Sequence, residues 1–399
     1  MAVLLDNPVR SYAWGSTSVI PELLGREPSG EPQAELWIGA HPGAPSVVEG
    51  DGRGLDEVIA ADPASNLGAG VVERFGPALP FLLKVLAVGA PLSIQVHPTI
   101  AQAEAGFAAE DAAGVPIDAP ERNYRDRNHK PEMVVALTDF EGLLGFRAPD
   151  ETAALLARFT VAELTAAADT VRSHDGLATL TRAWLTMPAG HAEALVGSLV
   201  EAAPRVDDGL GALVGRLGRA FPGDRGILLA LLLRHVQLRP GQAAFVPAGV
   251  PHVYLGGVAV EPQASSDNTL RAGLTPKHVD VAEVLRLLRY EPDGAVMIEP
   301  VGDASRVDYP VPGMAEFALS RLDLSGTQAQ VDGGPRIVLV TEGRVEVGTA
   351  GAEGTAGETG QVVPVERGRA AFVAASEGVA TVTGTGTAFV ITTGTDTAR

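Results

Sequence analysis

The sequence predicts a mainly β protein with an inserted α domain: two jelly-roll barrels plus a helical domain. Three observations predict it. Glycine (47) and proline (29) are abundant among the 399 residues, while aromatics make up only 5%, a composition of many turns and short strands. Residues 149–236 break that character, being rich in Ala, Leu, Arg and Glu. A short segment also recurs, Gly241-Gln-Ala-Ala-Phe-Val-Pro-Ala against Gly368-Arg-Ala-Ala-Phe-Val-Ala-Ala, as duplicated β units would produce.

Residues 1–148 are expected to be strands and turns, forming the first part of one barrel. The apolar runs 79–88 and 92–97 are separated by the turn Gly89-Ala-Pro91, and 132–137 is a third β-rich run. Helices follow over 149–236. Thr160-Val-Ala-Glu163 predicts a capping box with Thr160 as N-cap. Stretches 177–187, 189–203 and 210–220 carry apolar residues at helical spacing. Five or six helices fit. They are too short and too broken by glycine for a membrane or signalling bundle. Residues 237–293 return to strand character and complete the first barrel. Residues 294–399 are Val/Thr/Gly-rich with period-2 stretches such as Arg344-Val-Glu-Val and predict the second barrel. All eight histidines precede it, so that unit is expected to hold no metal.

Hydrophobic residues make up 46% of the chain, enough for a sizeable core. The formal net charge of -19 argues against nucleic acid and anionic membranes as partners. An anionic substrate therefore needs a local basic pocket. With no cysteine, disulfides, thiolate zinc sites and cysteine nucleophiles are excluded. Any metal must be held by nitrogen and oxygen. The start, Met1-Ala-Val-Leu-Leu-Asp6, lacks the basic head of a signal peptide. The apolar run 227–233 is far short of the ~20 residues that span a bilayer. A cytoplasmic monomer is the expectation.

Gln95 and His97 are two apart on a predicted strand, so both point to one face. Glu132 enters the next apolar run behind Lys130-Pro131, and proline fixes that entry. His252 begins the return strand after the turn Pro247-Ala-Gly-Val-Pro251, a spacing that resembles the second metal motif of the cupin superfamily. Singly, each has an ordinary reading: a polar strand end, a solvated glutamate, a turn histidine. Together Gln95, His97, Glu132 and His252 form a set of two nitrogens and two oxygens that suits zinc, with other divalent ions possible. Two histidines and a carboxylate also resemble an iron oxygenase triad, but the extra glutamine and nearby basic residues weigh against it. Arg271 and Lys277 follow on a short strand-like segment, where a guanidinium suits a phosphate or enediolate oxygen. Lys84 interrupts Phe81-Leu-Leu-Lys84-Val-Leu. A lysine there is costly unless it faces a cavity or a partner.

The segments Tyr12-Ala-Trp14-Gly15, Ala34-Glu-Leu-Trp37-Ile-Gly-Ala-His41-Pro42, Leu92-Ser93-Ile-Gln95-Val-His97-Pro98, Asn128-His-Lys-Pro-Glu-Met133, Pro247-Ala-Gly-Val-Pro-His252 and Ser266-Asp-Asn through Lys277 carry a resemblance. The chain resembles the type I phosphomannose isomerases. The resemblance implies two cupin-type barrels, an inserted helical domain and interconversion of mannose 6-phosphate and fructose 6-phosphate with one zinc ion per chain. It implies Gln95, His97, Glu132 and His252 as zinc ligands and Arg271 as the catalytic arginine. Trp14, Lys84, Ser93, Lys130, Glu261 and Lys277 would bind the substrate, a small sugar phosphate. One departure is visible: Thr99-Ile100 follows Gln-Val-His-Pro where the family commonly has an acidic or amide residue and then lysine.

The implied reaction moves one proton between C2 and C1 through an enediol, and a redox-inert ion suits it. Glu261, Lys130 or a bound water are the candidate bases. The rival readings are a non-catalytic cupin that binds sugar phosphate and an iron-dependent cupin oxygenase.

Overall fold

One long strand, His252–Ala264, organises the first sheet. Its opening residues pair with Phe140–Phe146 and, at His252, with Gln95 of Ile94–Val96. Its later residues pair with Phe81–Val88 and Glu132–Ala136. The register shifts between Tyr254 and Gly256, and such a bulge lets one strand serve two sets of partners. Gly257 follows at φ 108, where a Cβ would meet the Asp139 carbonyl oxygen at 2.4 Å. The computed structural model describes residues 2–206, 209–349 and 361–394, and the first sheet contains eleven strands.

Phe81–Val88 is buried along its whole length. It is paired on both sides, with Glu35–Gly39 and His252–Ala264, which explains its continuous apolar character. Ile94–Val96 alternates buried, half-buried, buried, so Gln95 faces away from Ile94 and Val96.

The second sheet has nine strands, dominated by Ala318–Val331, Arg336–Thr349 and Ala380–Thr392. Two exchanges depart from the expected boundaries. Ala2–Asp6 pairs with Ala370–Val373 and Val47–Val48, so it belongs to this second sheet. Conversely, Val296–Ile298 pairs with Ala243–Val246 in the first. Ala2 and Leu5 point to opposite faces and both are fully buried, Ala2 among second-sheet residues and Leu5 in a core that residues of both sheets build. The two sheets also share a core in which Leu83, Met133, Val135 and Val260 pack with Phe317, Leu319 and Ile337.

The internal repeat has a local cause. The strands Ala243–Val246 and Ala370–Val373 each follow a left-handed glycine, Gly241 (φ 84) and Gly368 (φ 79). Each glycine N–H donates to another strand of its sheet, to Ala136 O and Val340 O, both at 2.8 Å.

Between the two parts of the first sheet run six α-helices among the described residues: Pro149–Ala157, Ala162–Val171, Gly176–Thr186, Ala189–Ala202, Leu210–Ala220 and Gly226–Leu231. Leu156, Leu164, Leu180, Trp184, Leu199 and Leu217 form their buried side. Two expectations are corrected. Thr160 is not an N-cap: it sits at φ 52, closing the turn that ends the preceding helix, and Val161 caps Ala162–Val171 without a side-chain bond. Glu163 reaches His191 instead, 2.7 Å away. The helical run also stops early, because Leu233–Leu238 is a strand paired with Phe140–Phe146. Its apolar residues mimic helical spacing, and tertiary pairing overrides that local signal.

Residues 1–148 are not only strands and turns. Short helices occupy Leu55–Ala61, Pro63–Leu67 and Ala69–Phe75. A longer one, Ile100–Ala112, begins beside the Gln-Val-His-Pro segment. Its N-cap is Thr99, whose Oγ1 accepts from Gln102 N while Gln102 Oε1 accepts from Thr99 N at 2.9 Å. The unusual Thr99 is thus a capping-box residue. No helix among the described residues is long and apolar enough to cross a membrane.

Candidate metal centre and cavity

His97, Glu132 and His252 converge from three elements. Glu132 opens the strand Glu132–Ala136, His252 opens its own strand, and His97 follows Ile94–Val96. One ligand atom from each lies within 4.8 Å of the others. Nε2 of His97 is 3.4 Å from Glu132 Oε1, and Nε2 of His252 is 3.3 Å from Glu132 Oε2. All three residues are 1–2% exposed.

The other ring nitrogens are occupied. His97 Nδ1 lies 2.7 Å from Asn268 O and His252 Nδ1 3.1 Å from Val250 O. A carbonyl only accepts, so each Nδ1 carries the proton and each Nε2 turns a lone pair inward. Nε2 of His97 is buried with no hydrogen-bond partner. That orphaned atom, with two imidazoles and a carboxylate around one point, fits a divalent cation.

Electrostatics supports the same donor set. Burial, and next the Lys130 ammonium, lower the His97 pKa to about 4, so the imidazole is neutral at pH 7. Burial works against a charge on Glu132, but Lys130 and His97 outweigh it and hold the carboxyl well below its usual range. Lys130 Nζ bonds Glu132 Oε1 directly. Gln95 stands opposite His252 on one side and Arg271 on the other. It is therefore beside the triad and on the wall of the adjoining cavity.

That cavity has a volume of about 860 Å³, within the range of small-molecule sites. Trp14, Lys84, Ser93, Gln95, Lys130, Arg271 and Lys277 all line it. Of the ten other residues singled out with Arg271 in the sequence, only His97, Glu132, His252 and Glu261 are off its wall, buried beside it. Trp14 stacks on Tyr12 at 5.9 Å between ring centroids. Gly15 is required there, because a Cβ would meet the Ala34 backbone at 2.6 Å. Burial, then Arg125, depresses the Arg271 pKa, and burial, Arg271 and Arg125 depress that of Lys277. Three cations thus share one end of an otherwise acidic protein.

Lys84 lines the same cavity. Its Nζ lies 3.3 Å from Glu261 Oε2, 3.8 Å from Glu35 Oε2 and 5.2 Å from the Trp37 ring centre. Burial disfavours its charge, but Glu35 and Glu261 more than restore it. Glu261 is pushed up to about 7, by burial first and then by the charge on Glu132.

Several residues carry the site in roles not assigned to them from the sequence. Asn268 turns its carbonyl to His97 and its side chain to the segment before Lys130: Nδ2 donates to Asp126 O and Asn128 O, and Oδ1 accepts from Arg125 N at 2.7 Å. Arg125 joins the cationic end. Gln263, opposite Glu132 in register, is buried with its amide oxygen unpaired. The phenol of Tyr254 is likewise buried and unpaired, two residues beyond His252.

Comparison with known proteins decides the family. The signature of "Phosphomannose isomerase type I, catalytic domain" matches residues 3–149. A mannose-6-phosphate isomerase from Escherichia coli (strain K12) is 40% identical over 394 residues, covering 96% of this chain and 97% of its own length. This chain belongs to the type I phosphomannose isomerase family. The Homo sapiens mannose-6-phosphate isomerase is 32% identical, with 94% of each chain covered. A crystal structure of the Salmonella typhimurium mannose 6-phosphate isomerase, bound to fructose 6-phosphate and zinc, superposes with a TM-score of 0.89 at 36% identity over 99% of this chain and all of the other. The mainly β architecture with its run of helices is the architecture of this family.

Proposed function

We propose that this protein interconverts mannose 6-phosphate and fructose 6-phosphate, with one zinc ion held by Gln95, His97, Glu132 and His252. The buried His97–Glu132–His252 cluster, beside a cavity lined by Arg125, Arg271 and Lys277, carries the reading. When bound there, zinc supplies a net positive charge that favours an enediolate over a neutral sugar.

The chain's own residues divide the remaining work. Arg271, Lys277 and Arg125 receive the anionic phosphate, and Arg271 is also the guanidinium that stabilises charge developing on the sugar oxygens. Trp14 and Ser93 shape the wall. Lys84 and Lys130 place ammonium groups at the end nearest the buried carboxylates. Glu261, with its pKa near 7, is the group we assign to take the proton from C2 and return it to C1. The C2 hydroxyl proton passes to the C1 carbonyl oxygen, so C1 becomes an alcohol and C2 a carbonyl, and no electron leaves the substrate.

The test is a coupled assay of mannose 6-phosphate conversion with and without chelator, alongside metal analysis. Conversion that chelator abolishes and zinc restores supports the reading. A protein that binds sugar phosphate without converting it, or that carries functional iron, overturns it.

A further inference from the structure

His129 lies in the segment that delivers Lys130 and Glu132, yet its ring turns away from the metal cluster. Its Nε2 lies 2.7 Å from Oε1 of Glu316, a residue of the second unit just before the strand Ala318–Val331. Both side chains are mostly buried, at 19% and 11% exposure. Glu316 is itself well anchored. The next residue, Phe317, is 2% exposed and lies in the core that Met133 and Val135 share with the second sheet. The Ala315 carbonyl accepts from Gly394 N at 2.9 Å.

Alternation along Glu132–Ala136 completes the picture. Glu132 faces the metal site, whereas Met133 and Val135 face the second unit. The loop before this strand is gripped the same way, with His129 outward to Glu316 and Lys130 inward to Glu132.

We propose that Glu316 is a positioning residue for the isomerase: through His129 it fixes the His129–Glu132 segment, so the second unit helps to set the geometry of Lys130 and Glu132. The inference rests on the isomerase reading above. A shift of about an ångström in a catalytic group costs up to roughly 100-fold in rate, so a contact this far from the substrate registers in turnover.

The test compares zinc-loaded wild type, Glu316→Ala, Glu316→Gln and His129→Ala for kcat and KM on mannose 6-phosphate, with zinc content and Tm measured on the same samples. Glu316→Ala should lose roughly tenfold in kcat with KM within about twofold. Glu316→Gln, which keeps an acceptor for the imidazole, should recover most of the loss. The double variant Glu316→Ala/His129→Ala should be no worse than the poorer single variant, since both remove one contact. Wild-type kcat in zinc-loaded Glu316→Ala, or additive losses in the double variant, overturns the proposal even if Tm falls. Should Glu316→Ala fail to fold, His129→Ala carries the same test from the other side of the contact. An inactive wild type would instead sink the functional reading, so the two failures are distinguishable.

Discussion

Lys84 and Glu261 stand directly opposite each other on neighbouring strands, with the ammonium 3.3 Å from the carboxylate, both side chains almost wholly buried. Two charged residues in the middle of apolar strands are tolerable because each is the other's partner. Glu132 sits close enough to raise the Glu261 pKa despite that partner.

A stability signature follows for the metal-free protein. The folded-state pKa of Glu261, about 7, lies above the unfolded value of about 4.5. The folded state therefore holds the extra proton between those values, and this stabilisation is present below about 4.5 and lost as pH rises through about 7. With chelator present, wild-type Tm should fall relative to Glu261→Gln over that window. A difference that is flat with pH would show that Glu261 titrates normally.

His97→Ala should lose the metal and the activity together. Removing one imidazole leaves Glu132 and His252 as the only charged or nitrogen ligands, too few for a stable site. Metal analysis after gel filtration checks this, with about one zinc per wild-type chain as the reference. Full occupancy in the variant would be fatal to the ligand assignment.

Arg271→Lys should retain fold and zinc while turnover falls by roughly 10²–10³, the usual cost of one preorganised donor. A lysine keeps the charge but not the planar fork. Steady-state kinetics reads it out: KM should move less than kcat. A raised KM at unchanged kcat would make Arg271 a binding residue only.

Thr99→Ala should lower stability by about 1 kcal/mol, because it removes the cap of Ile100–Ala112. Zinc content should be unchanged, since Thr99 touches no ligand side chain. Chemical denaturation measures the first and metal analysis the second. An unaltered midpoint would mean that the helix start is held by other contacts.

Much of the site was readable because its chemistry is concentrated in side chains of unusual type for their setting. A lysine inside Phe81-Leu-Leu-Lys84-Val-Leu, and an amide and an imidazole two apart, each violate the local pattern of a buried strand. What stayed hidden was carried by backbone or by distance. The Asn268 carbonyl that orients His97 has no signature, because every residue has a carbonyl. Ile100–Ala112 was missed because it is mostly small residues and buries only Ala103, so it shows no apolar stripe. Thr160 matched a capping pattern that its left-handed backbone forbids. Arg125 and Glu316 became legible only when the chain brought them to Arg271 and His129.

The strand Ala2–Asp6 pairs with residues about 370 positions later. A ribosome adding roughly 5–20 residues per second emits the first strand roughly 20–75 s before its partner exists. During that interval Leu5 has its partner Val48, but Leu4 and Leu5 still lack Ala371 and Ala370 on their other side. The nascent chain must keep them in a chaperone's grip or in transient contacts of its own. The closing step of folding then lays a strand made last, Ala370–Val373, along the oldest part of the polypeptide, which makes this amino-terminal strand the natural place to look for slow refolding and for aggregation when synthesis stalls.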